Sequence, residues 1–425
     1  MGERVALHGM AYGGAAVGRL DDGAAVFVHG GLAGETVEVE LVERRKRFAR
    51  GRLVQVLEAA PGRVEAPCPH FREGCGGCQW QHATYDAQLG FRQVILADQL
   101  RRFGGIADPL LLDPVRSPEP FGYRVTAELH TRGGRVGFNR EGSHQLVDVE
   151  HCPLLAEPLD VGLGVVRGFA ARLPASVESV QLRLGEGTMQ LTLFAQDDPR
   201  SLKLLAAELA ATCERRLAAA ESEIRQCTVA GVRVGSERTR GLVGQPHLFM
   251  RLAGRPFRVS AQSFFQVNRG VADQLAAAVT EAARGQARVL DLFSGVGVFG
   301  LLLADQADEV VGVEAHPAAI ADAEANRAEA AAENVQFVQA DVDSAGEIAA
   351  RAWGAVILDP PRAGCPRAIL DALDASRIIY VSCDPSTLAR DAKILIGRGY
   401  RLTSAQLFDM FPQTYHLETL AIFDR

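Results

Sequence analysis

The sequence predicts a multidomain α/β protein: a small N-terminal β-barrel, a central, mostly antiparallel β region and a C-terminal doubly wound parallel sheet. Three observations carry this prediction. At 425 residues the chain is too long for one ordinary core. Its first 60 residues hold short period-two runs between glycine turns, and from residue 270 onward helix and buried strand alternate. Composition agrees, because 48% hydrophobic and 23% charged residues suit folded domains and argue against disorder, collagen-like repeats and membrane spans. No stretch approaches the roughly 18 apolar residues of a membrane helix. The start, MGERVALHGM, has no apolar h-region or cleavage site, so a cytoplasmic protein is expected.

In the barrel region, AVFVH, ETVEVELVE and GRLVQVLE are strands separated by YGGAAVG, DDG and HGG turns. The net charge of -7 gives no global pull toward nucleic acid, so any such binding requires a local patch. RRKRFARGR is that patch: Arg44, Arg45, Lys46, Arg47 and Arg50 are candidate phosphate contacts, and a solvated strand face is the plain alternative. After the proline-marked AAPGRVEAPCP come Cys68, Cys75 and Cys78 in C-x6-C-x2-C spacing, with Cys152 far downstream in VEHCP. In a reducing compartment four such thiols suit a zinc ion or an iron-sulfur cluster rather than disulfides. His70, His82 and His151 are possible replacements for one thiolate, and the spacing disfavours a radical three-cysteine motif. TYDAQLGFRQVILADQLRRF has helical periodicity. Residues 120 to 265 read mostly as strands, interrupted by one helix near 201 to 220.

In the last third, the strands VLDLF, VVGVE, VQFVQAD, AVILD and IIYVSC end at residues with chemistry to offer, where ligands of such a sheet bind. Gly295 and Gly297 in DLFSGVGVFG let a cofactor approach the backbone, and Glu314 ends the next strand where it can bind both ribose hydroxyls of a nucleoside. Asp341 is placed to accept from an adenine amino group. With Gly300 the dinucleotide fingerprint is nearly satisfied, so a dinucleotide enzyme has to be considered. Asp359, before Pro360 and Pro361, points instead to a cation such as the amine or sulfonium of S-adenosylmethionine. Cys383, at a strand end before a helix N-terminus, is a candidate nucleophile whose pKa the helix would lower. His416 and Glu418 are expected on one face of a strand, and Glu418 is the better general base for a carbon-bound proton.

Taken together, these residues resemble the uracil-carbon-5 RNA methyltransferases, in particular the ribosomal-RNA type with an N-terminal TRAM domain and an iron-sulfur cluster. GMAYGGAAVGRLDDGAAVFVHGGLAGETVEVEL resembles the TRAM barrel, an OB-like RNA-binding fold, and CPHFREGCGGCQWQH with Cys152 resembles the 4Fe-4S ligand set. SFFQVN, DLFSGVGVFG, DPPRAG, SCDPSTLARD and HLET follow in the family's order.

The resemblance implies a TRAM domain over residues 1–60 and a central domain over 61–265 whose helical part near 84–112 packs on the catalytic domain. It implies a Rossmann-like methyltransferase domain over 266–425. It also implies S-adenosylmethionine contacts at Gln266, Phe293, Glu314, Asp341 and Asp359, Cys383 as nucleophile and Glu418 as base. Phe264 and Phe265 are candidate surfaces for a flipped base, and Arg362 or Gln266 for stabilising an enolate. Asp384 and Val298 stand where relatives often carry asparagine.

The barrel and cysteine cluster favour 23S ribosomal RNA as substrate over tRNA, since the simpler bacterial tRNA enzymes of the family lack both. Two further readings remain in view: a cytosine-carbon-5 enzyme using Cys365, and a non-catalytic RNA-binding or assembly factor. A monomer is the default expectation.

Overall fold

The structure is a computed structural model that describes residues 2–425. Strands β1 (Glu3–Met10), β2 (Ala16–Arg19), β3 (Ala25–His29), β4 (Thr36–Arg44) and β5 (Phe48–Glu58) close into a barrel in the order β1-β2-β3-β5-β4. Alternation builds it: Val5, Leu7, Val26, Val28, Val37 and Val39 point inward and are buried. Gly18 permits closure, because a Cβ there would sit 2.4 Å from Val5 and 2.8 Å from a β1 carbonyl oxygen.

The cysteine-bearing loop follows, with one helical turn α1 (Pro69–Arg72), and leads into helix α2 (Tyr85–Arg102) and strand β6 (Leu111–Val115). Strands β7 (Thr126–Arg132), β8 (Arg135–Asn139) and β9 (Leu146–Asp148), helix α3 (Glu157–Phe169), β10 (Val177–Leu184), β11 (Thr188–Ala195), α4 (Lys203–Ala219), β12 (Gln226–Arg233) and β13 (Thr239–Val243) make the central unit. Its sheet order is β13-β12-β11-β10-β7-β8-β9, antiparallel except between β11 and β12. A separate hairpin, β14 (His247–Leu252) and β15 (Arg255–Ser260), leads to the last unit.

That unit runs α5 (Arg269–Ala282), β16 (Arg288–Leu292), α6 (Val298–Leu302), β17 (Glu309–Glu314), α7 (Pro317–Glu329), β18 (Val335–Gln339), α8 (Gly346–Ala349), β19 (Ala352–Leu358), α9 (Arg367–Ala372), β20 (Asp374–Ser382), α10 (Pro385–Gly397), β21 (Arg401–Phe408) and β22 (Glu418–Asp424). The eight-stranded sheet has the order β18-β17-β16-β19-β20-β22-β21-β6. The first five strands are parallel, and β22 inserts antiparallel between β20 and β21.

Two elements differ from the sequence reading. The central region holds a second helix, α3, in EPLDVGLGVVRGF, whose glycines and β-branched valines read locally as strand. One of those glycines is used for packing: a Cβ on Gly162 would lie 2.9 Å from the Met189 sulfur on the sheet below. The helical stretch expected near 84–112 ends at Arg102, and β6 then joins the C-terminal sheet as its edge, parallel to β21. Pro114 within β6 is tolerated because an edge strand has one side without a partner.

The parts share cores rather than hanging as beads. One apolar cluster joins the barrel, α2 and one face of the C-terminal sheet, and a second joins the central sheet to the opposite face. No helix among the described residues is long and apolar enough to cross a membrane.

Candidate active site

The carboxyl ends of β16, β17, β19 and β20 meet the start of β22 around one cavity of about 640 Å³. After β16 the chain turns sharply through Phe293, at φ +66°, and Gly295, at φ +55°. A left-handed conformation at a phenylalanine is strained, by about 1–3 kcal/mol, and such strain gathers at functional turns. Gly297, at φ +86°, has a different reason to be glycine: a Cβ would lie 2.5 Å from the Phe337 ring. At the end of β17, Glu314 accepts from the Gly295 and His316 amides at 3.0 and 2.7 Å. This fixes a carboxylate at the cavity wall with lone pairs to spare for a ligand's hydroxyls.

Asp359 ends β19 and is followed by the rigid Pro360–Pro361 turn on the cavity wall. Burial pushes its carboxyl up to about 7. Glu418 is the first residue of β22 and is buried, and burial, then Asp359, pushes its carboxyl well above the usual carboxylate range. Because Ser382 pairs with Thr419, the strand register sets Cys383 beside Glu418.

Contrary to the sequence expectation, the Cys383 thiol is pushed up, to about 12, by burial and then by Glu418 and Asp359. The helix that was to lower it is already satisfied: Asp384 caps α10 by accepting from the Ser386 and Thr387 amides at 2.9 and 3.1 Å. A cavity wall that carries Asp359, Glu418 and Cys383, each raised by burial, is one that a bound cation would relax.

Of the residues singled out in sequence, Gln266, Phe293, Gly295, Glu314, Asp359, Cys383 and Glu418 line this cavity. Gly297 and Asp341 are not on its wall. Asp341 is exposed beyond β18, where its carboxylate caps a short turn through the Asp343 amide. His416 lines the cavity from the loop before β22 rather than from the strand. Burial, then Arg362, lowers its pKa to about 4, so its ring is neutral. Phe264 is 69% exposed on the rim, whereas Phe265 is a buried core side chain. Cys365 is buried beneath α9 and α10, away from the cavity, which removes the geometry for the cytosine-type reading.

Sequence reasoning missed two residues that brace the turns around the cavity. Asp291 inside β16 is fully buried, accepts from the Gly300 amide at 3.1 Å, and is raised to about 8 by burial and then Asp359. Its signal was an acid within an apolar strand. Tyr12 of the barrel donates to Asp384 at 3.0 Å, tying the barrel to the turn that carries Cys383. No local pattern announces a contact spanning 372 positions.

The other two predicted sites lie elsewhere. Cys68, Cys75, Cys78 and Cys152 line one small cavity whose remaining wall includes Phe71, Phe138 and Leu155. Burial pushes the Cys152 thiol up to about 11, with Cys75 and Cys68 adding to the rise. Gln81 braces the loop, accepting from the Cys68 amide and donating to the Cys78 sulfur at 3.2 and 3.1 Å. Among the described residues no group of three or more His, Cys, Asp or Glu converges as ligands of one metal ion.

The basic run occupies the β4–β5 hairpin, and acids of β4 itself and of the β2–β3 turn face it. Arg44 pairs with Asp22, Arg45 and Arg50 with Glu43, and Arg52 with Glu40. Lys46 and Arg47 make no ion pair among the described residues.

A parallel sheet into which the last strand, β22, is inserted antiparallel, a glycine turn after β16 and a carboxylate after β17 define an S-adenosylmethionine-dependent methyltransferase. Family models agree in three segments: TRAM domain over residues 3–54, methyltransferase domain over 284–352, and tRNA (uracil-5-)-methyltransferase over 347–425. The chain is 38% identical to the 23S rRNA (uracil(1939)-C(5))-methyltransferase RlmD of Pseudomonas putida, covering 95% of this chain and 89% of that protein. It is 35% identical to an uncharacterized RNA methyltransferase of Thermosynechococcus vestitus, over 98% and 96%. The solved tRNA (uracil-54, C5)-methyltransferase of Pyrococcus abyssi, in complex with S-adenosyl-L-homocysteine, matches over 99% of both chains with a TM-score of 0.75 and 26% identity. The chain belongs to the RNA (uracil-5) methyltransferase family.

Proposed function

We propose that this protein methylates carbon 5 of a uridine in 23S ribosomal RNA, using Cys383 as a covalent nucleophile. The observation that carries the reading is the convergence of Cys383, Glu418, Asp359 and Glu314 on one cavity. S-adenosylmethionine, held by Gln266, Phe293, Glu314 and Asp359, supplies the methyl group. Gly295 admits it to the backbone, Gly297 shapes the turn through Phe337, and Asp341 is assigned to the adenine side of the same site.

Carbon 5 of uracil is too weakly nucleophilic to attack a sulfonium unaided, so the Cys383 thiolate adds to carbon 6 and leaves an enolate. Arg362 or Gln266, both of which line the cavity, stabilises the enolate oxygen. Carbon 5 then takes the methyl group, Glu418 removes the proton from carbon 5, and elimination expels Cys383. Asp359 faces the sulfonium, and that positive charge offsets the burial that holds Cys383 and Glu418 protonated. Phe264 on the rim offers a stacking face for a base taken out of its helix.

We assign residues 1–60 as the RNA-binding barrel, 61–265 as the central domain with 84–112 on the catalytic domain, and 266–425 as the catalytic domain. Arg44, Arg45, Lys46, Arg47 and Arg50 are assigned to phosphate, with Lys46 and Arg47 the unpaired pair. Cys68, Cys75, Cys78 and Cys152 are assigned as ligands of a 4Fe-4S cluster. Thiols that surround a cavity without closing on one point fit a multi-atom cluster better than a zinc ion, whose sulfurs sit about 2.3 Å from a single centre.

The test is methyl transfer from labelled S-adenosylmethionine into 23S rRNA and tRNA from cells lacking the protein, read as 5-methyluridine. Label in 23S rRNA, lost in Cys383→Ala, is expected. The tRNA reading is favoured by the full-length match to the Pyrococcus abyssi enzyme, and label in tRNA alone would establish it.

A further inference from the structure

Between β21 and β22 the chain makes an irregular excursion through residues 409–417. It delivers Phe411 and His416 to the cavity wall and then enters β22 at Glu418. Such a segment has no ladder partners of its own, so its backbone groups must be satisfied from outside. Tyr123 donates to the Pro412 carbonyl, Asn268 to that of Met410, and the Asp409 amide to the Val115 carbonyl of β6, but most of the grip comes from α2 and the cysteine loop. Arg92 of α2 is fully buried and donates to the carbonyls of Phe411, Thr414 and His416 at 3.1, 2.6 and 3.1 Å. Its guanidinium also lies 3.4 Å from the buried Asp409 carboxylate, at the start of the same segment.

A second grip sits one turn of α2 earlier and reaches the middle of the segment. Gln88 and Gln413 exchange two hydrogen bonds of 2.9 Å, from the Gln88 amide to the Gln413 side chain and from the Gln413 backbone back to Gln88. The Gln413 carbonyl accepts from the Gln79 and Trp80 backbone amides, each at 3.0 Å. Gln79 follows directly on Cys78, so the cysteine loop itself holds the segment. Gln413 is at φ +70°, a strained conformation for a non-glycine residue that persists only where its surroundings fix it.

We propose that Arg92 is a positioning residue for methyl transfer, and that it and the cysteine loop form one clamp that sets where Glu418 and His416 stand in the cavity. The proposal rests on the reading of Glu418 as the base. A planar fork is required, because one side chain has to reach three carbonyls that diverge; a lysine offers a single ammonium and reaches one. Displacement of a reacting group by about 1 Å costs on the order of 100-fold in rate, so loosening the segment should appear in turnover before it appears in binding.

The experiment compares Arg92→Lys, which keeps the charge opposite Asp409, and Gln88→Ala, which keeps Arg92, with the unaltered protein. Two readouts are taken: hydrogen exchange across residues 409–418, and kcat and KM for 5-methyluridine formation. The expected result is faster exchange confined to 409–418, kcat lowered at least about tenfold in Arg92→Lys and several-fold in Gln88→Ala, and KM for RNA and affinity for S-adenosylhomocysteine unchanged. Exchange and kcat both unaltered per folded molecule, with only the melting temperature lowered, would reduce Arg92 to a structural brace and overturn the proposal. Should Arg92→Lys not fold, Gln88→Ala decides by the same two readouts. If the unaltered protein methylates no RNA, the functional reading fails, and unchanged exchange at 409–418 in Gln88→Ala would separately overturn the clamp.

Discussion

Cys383 and Glu418 stand on adjacent strands, and their proposed roles separate chemically. Cys383→Ala should abolish methylation, whereas Cys365→Ala, beneath α9 and α10, should retain it. Glu418→Gln should stop the reaction after methyl transfer, leaving RNA attached to Cys383; a band of protein-bound RNA that survives denaturing electrophoresis checks this, and turnover without one would remove Glu418 from the role of base. Asp359 makes a prediction in the opposite direction for stability. Its carboxyl is raised from the ordinary 3.8 to about 7, so the folded state binds the extra proton, and stability is fully present below pH ~4 and lost as pH rises to ~7. Asp359→Asn should therefore unfold later at pH 8, by up to about 4 kcal/mol, gain nothing at pH 4, and bind S-adenosylmethionine poorly. Denaturant titrations at both pH values, with calorimetric binding, measure all three. At this scale the sequence was most legible where a residue ends a strand, as Glu314, Asp359 and Cys383 do. It was least legible where the partner is remote: the thiol of Cys383 is raised by its burial and then by Glu418 on the adjacent strand, and Tyr12 reaches Asp384 from another part of the chain.

Elements repeat that lesson with different physics. The parallel strands were readable because each is a continuous apolar run, but α3 was hidden by its glycines, of which Gly162 serves helix–sheet contact, and β6 by a proline that only an edge excuses. The turn after β16 offers a direct test. Gly297→Ala combines a left-handed backbone with a Cβ 2.5 Å from Phe337, and should destabilise the fold by about 1–3 kcal/mol and weaken S-adenosylhomocysteine binding. Equilibrium unfolding in urea and calorimetry measure the two effects. On the barrel hairpin the sequence showed six basic residues and could not show how Asp22 of the β2–β3 turn and the acids of β4 pair with them. Exposed ion pairs of this kind are worth little and can be exchanged for phosphates, but Lys46 and Arg47 need no exchange. Lys46→Ala with Arg47→Ala should weaken RNA binding across sequences and lower the salt slope by about 0.7 per lost contact on single strands; an unchanged slope would move the RNA path off this hairpin.

For the whole molecule, the cysteine cavity is fastened to the barrel as well as to the catalytic sheet, since Trp80 donates to the Gly14 carbonyl at 3.0 Å. Cys78→Ser should abolish bound iron and sulfide and lower the melting temperature, and retained iron at full stoichiometry would count against the assigned ligand set. The edge strand β6 has a consequence for how the chain is made. Gln406 donates to the Asp113 carbonyl at 2.9 Å across 293 positions, so β6 leaves the ribosome long before β21 exists to receive it. At roughly 5–20 residues per second, the wait is on the order of 15–60 s. During that interval β6 is an open template for any neighbouring nascent chain, and Pro114, with no amide proton to offer, blunts it. Pro114→Val should leave the finished protein about as active while lowering its soluble yield from synthesis at high expression, so a residue with no part in methyl transfer protects the molecule before it is complete.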